Sequence, residues 1–402
     1  SVASSDGGTT FTATFSPTAA TTDATNVITV DMTGVMDLAQ NTGVGSTDSN
    51  NYAVDTGNPA TEFVSKADAI RETLTGDATR TLQSIVATNQ RMSRDARARF
   101  VLAQDPEAVG ETSVPVDVDG SLEVNGLTVS SKGSFYGLAG IGNGTRRIVF
   151  GDFDVQHDGE TGSSTATLNG RVAWEQMLSD TTMLGYFIGG ELARSNIAGE
   201  FAGAQNRVAV TVGGYAVQEL TDHVLLDGFF SLGAGRNNLE VTDTVLALDS
   251  DYTTRSASVG AALSGVVQQD GFEVRPELSL NYGRTWIGNV AFIGRAYGLV
   301  DDTLSLDAGQ VTLANLLLRP EVRVPVDGLP GADSLQVVTF APRLMCEQIK
   351  AATTEENCGG GAELGFSGRS ADGLSSVSVK VMADRIGGNT KSSLQLSLEH
   401  RF

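Results

Sequence analysis

Over most of its length the chain alternates between apolar and polar residues, and the alternation is clearest toward the C-terminus. The final segment puts Leu394, Leu396, Leu398, His400 and Phe402 on one side and Ser393, Gln395, Ser397, Glu399 and Arg401 on the other. Successive side chains of a strand point to opposite faces, so this pattern predicts a strand with one apolar and one polar face. Upstream, Ala166, Leu168, Val172, Trp174 and Leu178 oppose Thr165, Thr167, Asn169, Arg171 and Glu175. Val208, Val210, Val212 and Ala216 oppose Arg207, Thr211 and Glu219, and Phe272, Val274, Leu278, Leu280, Tyr282 and Trp286 oppose Glu273, Arg275, Glu277 and Asn281. Such runs reach roughly a dozen residues, about twice the mean strand of a soluble sandwich.

Twelve strands are predicted, over 145–157, 163–178, 182–197, 206–220, 223–237, 251–268, 272–287, 304–326, 334–349, 360–370, 374–387 and 390–402. Connections at 179–181, 221–222, 269–271 and 371–373 are tight, and those at 239–250, 288–303 and 350–359 are long. An even number of long strands with alternating short and long connections predicts an all-β fold: a 12-stranded antiparallel transmembrane β-barrel over 145–402. Arg171, Glu175, Arg207, Glu219, Glu273, Arg275, Glu277 and Arg323 would then face the lumen as a charge ladder, with catalytic carboxylates as the sharper alternative.

Between about Glu62 and Ala103 the period changes. Ile70, Leu74, Leu82, Ile85, Asn89, Met92 and Ala96 recur at threes and fours, which predicts a linker helix within 58–105. Gly76 allows a break there, leaving a second helix over 77–102 about 37 Å long. Arg71, Arg80, Arg91, Arg94, Arg97 and Arg99 make it basic in an acidic chain. That suits an acidic barrel lumen, and a solvated linker is the alternative. Residues 106–144 carry short alternating pieces with Asp119-Gly120 and Asn125-Gly126 turns, and are assigned to a short β segment or linker.

Composition narrows the function classes. Gly is abundant at 47 and Pro scarce at 9, which favours strands over helices. The mean hydropathy of -0.04 resembles that of a soluble protein, but half of each spanning strand faces a wet lumen, so an average hides a barrel. The net charge of -21 speaks against nucleic acid as a partner. Cys346 and Cys358 fall in a segment read as a loop, where an oxidising compartment predicts a disulfide, free thiols being the alternative. His157, His223 and His400 share no ligand spacing, and no nucleophile elbow, phosphate loop or zinc motif occurs, so neither cofactor nor metal nor enzymatic activity is expected.

Two resemblances follow from these segments. The stretch SSDGGTTFTATFSPTAATTDATNVITVDMTGV, the Asp37-Leu38-Ala39 turn and STDSNNYAVDT resemble the second half of a bacterial Ig-like adhesin repeat, assigning 1–57 to a truncated Ig-like fragment. The order of repeat, helix and barrel, with a terminal strand finishing in Phe402, resembles an autotransporter (type V secretion) translocator. Ser1 is neither an initiator Met nor the start of a signal peptide, so the chain reads as the C-terminal part of a longer exported protein.

The autotransporter resemblance implies an outer-membrane translocator and anchor of a Gram-negative bacterium, exporting and displaying an adhesin-like passenger on the cell surface. A porin-like channel and, further off, a barrel enzyme are the alternatives. Implied partners are outer-membrane lipid, the barrel-assembly machinery, periplasmic chaperones and the chain's own passenger, around a monomeric barrel. Leu394, Leu396, Leu398 and Phe402 would form the membrane-insertion signal, with an interfacial aromatic anchor as the other role for Phe402. Some members of that family release their passenger by asparagine cyclisation, which draws attention to Asn89; an uncleaved passenger is expected here.

Overall fold

In the computed structural model, which describes residues 2–4, 10–18, 21–37, 39–55, 57–104, 115–142, 145–326, 336–370 and 374–401, the C-terminal two-thirds close into one antiparallel barrel. Its spanning strands are β1 Pro115–Asn125, β2 Thr128–Gly142, β3 Thr145–Asp158, β4 Ser164–Ser179, β5 Thr182–Ile197, β6 Ala202–Thr221 and β7 Val224–Thr242. They continue as β8 Ala247–Gly265, β9 Phe272–Trp286, β10 Gln310–Pro325, β11 Gln336–Lys350, β12 Thr354–Arg369, β13 Ser375–Ile386 and β14 Asn389–Arg401. The ring shuts where β14 pairs with β1, Leu394 opposite Leu122 and Leu398 opposite Val118. The barrel therefore has fourteen spanning strands rather than the twelve expected.

The two added strands come from 115–142, which is barrel wall and not a linker. Their outer faces read weakly because Gly120 and Gly133 interrupt the apolar run. In the paired register Gly133 faces Phe153 and Gly151 faces Phe135, and each ring lies where a Cβ on the opposing glycine would be. A large and a small residue thus share each site, and the surface stays apolar although one strand alone looks interrupted.

Leu168, Ile188, Val210, Leu232, Val259, Leu280, Leu316, Leu344, Leu364, Val381, Leu396 and Leu122 are exposed on the outside. The inward alternates include Asn169, Arg171, Gln205, Arg207, Asn237, Thr254, Asn281 and Glu321, all buried. An apolar exterior around a polar interior inverts the arrangement of a water-soluble barrel.

Two connections expected to be long loops are tight turns, because β7, β8, β11 and β12 extend further than expected. Between β9 and β10 stands an extra hairpin, Asn289–Ala296 and Leu299–Asp307, which also pairs with the tip of β8. This marks the hairpin end of the barrel; β1 begins and β14 finishes at the opposite, terminal end. Phe402 and residues 371–373 and 106–114 lie outside the described residues.

The helical region is α1 Pro59–Ser65 and α2 Ala67–Gln104. Asn58 caps α1, its side chain accepting from the Thr61 N–H at 2.9 Å, and Pro59 occupies the first turn, where a missing N–H costs nothing. The break falls at Lys66 and not at Gly76, which passes through the continuous helix. At 38 residues α2 is about 57 Å long, well beyond a bilayer core of about 30 Å. The described residues between 2 and 55 form three separate two-stranded sheets, with Val54 the buried hydrophobic residue among them.

Candidate functional site

The lumen holds α2. Its predicted apolar stripe, Ile70, Leu74, Leu82, Ile85, Met92 and Ala96, is buried throughout, as is Asn89 within it. The helix packs closest to β5 to β10 and is tied by side chains to β3 and β4, so it leans on one wall of the barrel.

At the hairpin end, Phe63, Ile70, Leu74, Leu82 and Val86 join Phe201, Leu239, Val241, Leu246, Leu248, Val290, Phe292, Leu304, Leu306 and Val311 in one apolar cluster. Phe63 and Phe292 meet with ring centroids 5.3 Å apart. The extra hairpin contributes four of these residues, and its Tyr297 hydroxyl donates to Glu62 of α1 at 2.8 Å. Lys66, in the break between helices, pairs with buried Asp243. A second cluster near the terminal end joins Met92, Ala96 and Phe100 to Ile148, Met183, Phe187, Tyr215 and Phe229.

Between and around these clusters the helix is tied by polar groups. Asp77 accepts from Ser195 and Gln205, each at 2.6 Å. Thr88 donates to Asp152 at 2.7 Å, and Asn169 supplies the other Asp152 oxygen at 2.7 Å. The Asn89 amide nitrogen donates to Ser231 and Ser258, each at 2.8 Å, while its oxygen accepts from Arg171. Ser93 and Arg97 both reach Asp227, at 2.7 and 2.8 Å, and Arg97 also reaches Glu277 at 3.0 Å. Arg99 pairs with Glu175, which accepts a further bond from Tyr215 at 2.9 Å. Buried charges persist when paired and fully hydrogen-bonded, and here wall and helix supply each other's partners.

Of the charges expected in the lumen, Arg171, Glu175 and Glu277 touch the helix. Arg207 serves the wall instead, donating to Glu191 at 2.7 Å. Glu273 and Arg275 pair with each other near the terminal end, and Glu219 is half-buried beside the β6–β7 turn. Asp152, Asp227, Glu191 and Asp77 were missed; the first three sit at inward positions of alternating strands, so the period-two signal was available. Cys346 and Cys358 are bonded, but as directly opposed residues of β11 and β12 on the barrel's outer face rather than in a loop. Among the described residues no group of three His, Cys, Asp or Glu side chains is arranged to hold a metal.

From β10 round to β13 the wall carries its own network: Arg319 donates to Glu363 at 2.6 Å, Arg323 to Glu321 at 2.6 Å, and Lys380 lies 3.5 Å from Glu363. The lumen is thus built to hold a helix along one side by mixed apolar and charged contacts.

Residues 1–54 match the family model of a bacterial Ig-like domain. No curated protein matches the chain. Among solved structures it is similar to the β-domain of the Bordetella autotransporter BrkA, at 14% identity and a TM-score of 0.42, over 73% of this chain and 100% of that one. It is similar to the translocator domain of the autotransporter NalP from Neisseria meningitidis at 12% identity and a TM-score of 0.39, over 79% and 99% of the two chains. The Pseudomonas putida toluene transporter TodX shares 12% identity at a TM-score of 0.42, over 75% and 92%. At such identities and scores these likenesses carry no weight for function.

Proposed function

We propose that the chain is the translocator and anchor of an autotransporter: the barrel sits in an outer membrane and holds the Ig-like module at the cell surface. One observation carries this reading. Helix α2 runs down the lumen from α1 at the hairpin end to Arg97 and Arg99 at the terminal end, where β1 begins. The segment before the barrel and the barrel's first strand therefore lie at opposite ends of the pore, a geometry that fits an N-terminal part passed through it. The lipid-facing belt supplies the membrane contact, and pairing between neighbouring strands satisfies the backbone.

On this reading the terminal end faces the periplasm. Leu394, Leu396 and Leu398, exposed on the outer face of β14, present the stripe the assembly machinery would engage. The passenger remains attached: both Asn89 amide hydrogens are committed to serines, and the group acts as a tie. No catalytic step is assigned to the lumenal carboxylates.

Protease added to intact cells tests the orientation. Loss of the Ig-like module with an undamaged barrel is expected; a module cleaved only after the outer membrane is opened would sink it. The porin-like alternative draws on the charged wall from β10 round to β13. A steady large conductance from the intact chain in a planar bilayer would favour it, whereas a closed pore with brief openings fits the translocator.

A further inference from the structure

The outer surface of the wall that carries α2 ends its apolar run in the same way on four strands. On β5, Leu184, Tyr186, Ile188 and Leu192 lead to Arg194; on β7, Phe230, Leu232 and Ala234 lead to Arg236. On β8, Leu263, Val259 and Ala257 lead to Arg255; on β9, Leu278, Leu280 and Tyr282 lead to Arg284. In each case the arginine is the first charged outward residue toward the hairpin end. The opposite ends of these strands carry no outward lysine or arginine.

These four residues occupy one level. Followed through the registers, the row from Leu122 in mid-β1 passes Ala166 and Arg194 and reaches Asn238 near the hairpin end of β7, so hydrogen-bonded rows climb with strand number. With strands tilted about 40°, a level plane departs from such a row by roughly one residue per strand. The row of Arg255 runs through Trp286 on β9, Ala234 on β7, Val210 on β6 and Gly190 on β5. Corrected for the climb, Arg284, Arg236 and Arg194 each fall within about one residue of the level of Arg255.

Among the described residues the ion pairs leave Arg194, Arg255 and Arg284 without a carboxylate, while Arg236 reaches up to Asp251 at 3.3 Å. Arg284 lies over the Trp286 ring, 5.2 Å from its centroid, which fixes a guanidinium beside an interfacial aromatic. An acidic chain of net charge -21 has thus gathered a cationic level at the edge of its outward apolar belt. Guanidinium forks match phosphate oxygens bidentately, and each basic residue at a lipid surface adds to the attraction for anionic headgroups.

We propose that Arg194, Arg236, Arg255 and Arg284 form a binding site for the phosphate groups of outer-leaflet glycolipid. This rests on the outer-membrane reading, which places the hairpin end in that leaflet. The site would hold phosphorylated lipid against the wall on which α2 packs.

The test reconstitutes the intact chain in nanodiscs of phosphatidylcholine with either diphosphoryl lipid A or the same lipid stripped of its phosphates. After extraction in mild detergent, native mass spectrometry counts the lipid retained. The diphosphoryl form is expected to be retained about tenfold more, to resist about 10 mM inorganic phosphate, and to lose that advantage in the R194Q/R236Q/R255Q/R284Q variant. Equal retention of both lipids by the unaltered chain would overturn the proposal without needing the variant to fold. Release by inorganic phosphate would overturn it in favour of a small-anion site. A chain that never enters the nanodiscs would remove the membrane reading itself, and this site with it.

Discussion

Replacing Arg97 by alanine strips two buried acids of their common partner. Arg97 is 12% exposed in its side chain, Asp227 4% and Glu277 8%, so solvent screens the pairs little. The guanidinium donates to them at 2.8 and 3.0 Å, and its loss leaves Asp227 with Ser93 and Glu277 with distant Arg94, 3.9 Å away. Removing one member of a buried pair costs about 3–5 kcal/mol, much of it from the uncompensated charge left behind. Taken from the docked helix alone, the lower figure raises the fraction of time α2 is displaced by on the order of a hundredfold. Single-channel recording in planar bilayers reads this directly: the intact chain should open briefly and rarely, and R97A far more often. D227N and E277Q added to R97A should restore the closed state in part, because they remove the stranded charges. If R97A opens no more often than the parent, or if neutralising the acids worsens its leak, the electrostatic account of helix retention is wrong.

Three further outcomes follow from the geometry. L122K puts a cation on the outer face of β1 near mid-span, at a cost of about 2–4 kcal/mol in lipid, so heat-resistant folded barrel on gels should fall sharply; full assembly would mean that 115–142 is not lipid-facing wall. C346S/C358S releases a closure of 12 residues worth about 3 kcal/mol in the unfolded chain, and should lower the temperature of barrel unfolding by a few degrees while leaving the fold intact, as measured on gels with and without heating. In the Ig-like module, the Asp37 carboxylate is held below its ordinary value, first by the Asn41 side chain and then by the Asn41 backbone N–H. A depressed folded-state value gives stability that is full above the ordinary carboxylate range and lost as pH falls through the lowered one. NMR titration of Asp37 should therefore show a midpoint below 3.8, and a midpoint at or above it would contradict the turn geometry.

How much of this was legible beforehand differs by element. The alternation in β3 to β14 is local, so the sidedness of Arg171, Glu175, Arg207 and Glu277 could be read directly, and the stripe from Ile70 to Ala96 marked the buried face of α2. β2 was not recognised as wall because its outer face is completed by a ring from the adjoining strand: Phe153 covers Gly133, and a single strand cannot show what its neighbour supplies; in β1, Gly120 breaks the apolar run. The Cys346–Cys358 turn was mistaken for a loop since polar residues at a strand tip beyond the apolar belt look like a loop.

Sequence alone therefore determined the type of each long segment and which of its sides is apolar, since period two and period 3.6 are properties of consecutive residues. Only the tertiary structure decided that fourteen strands close the ring, that α2 lies inside it, and that Arg97 meets Asp227 and Glu277. Those facts depend on register and on contacts between residues more than a hundred positions apart, for which the local pattern carries no record.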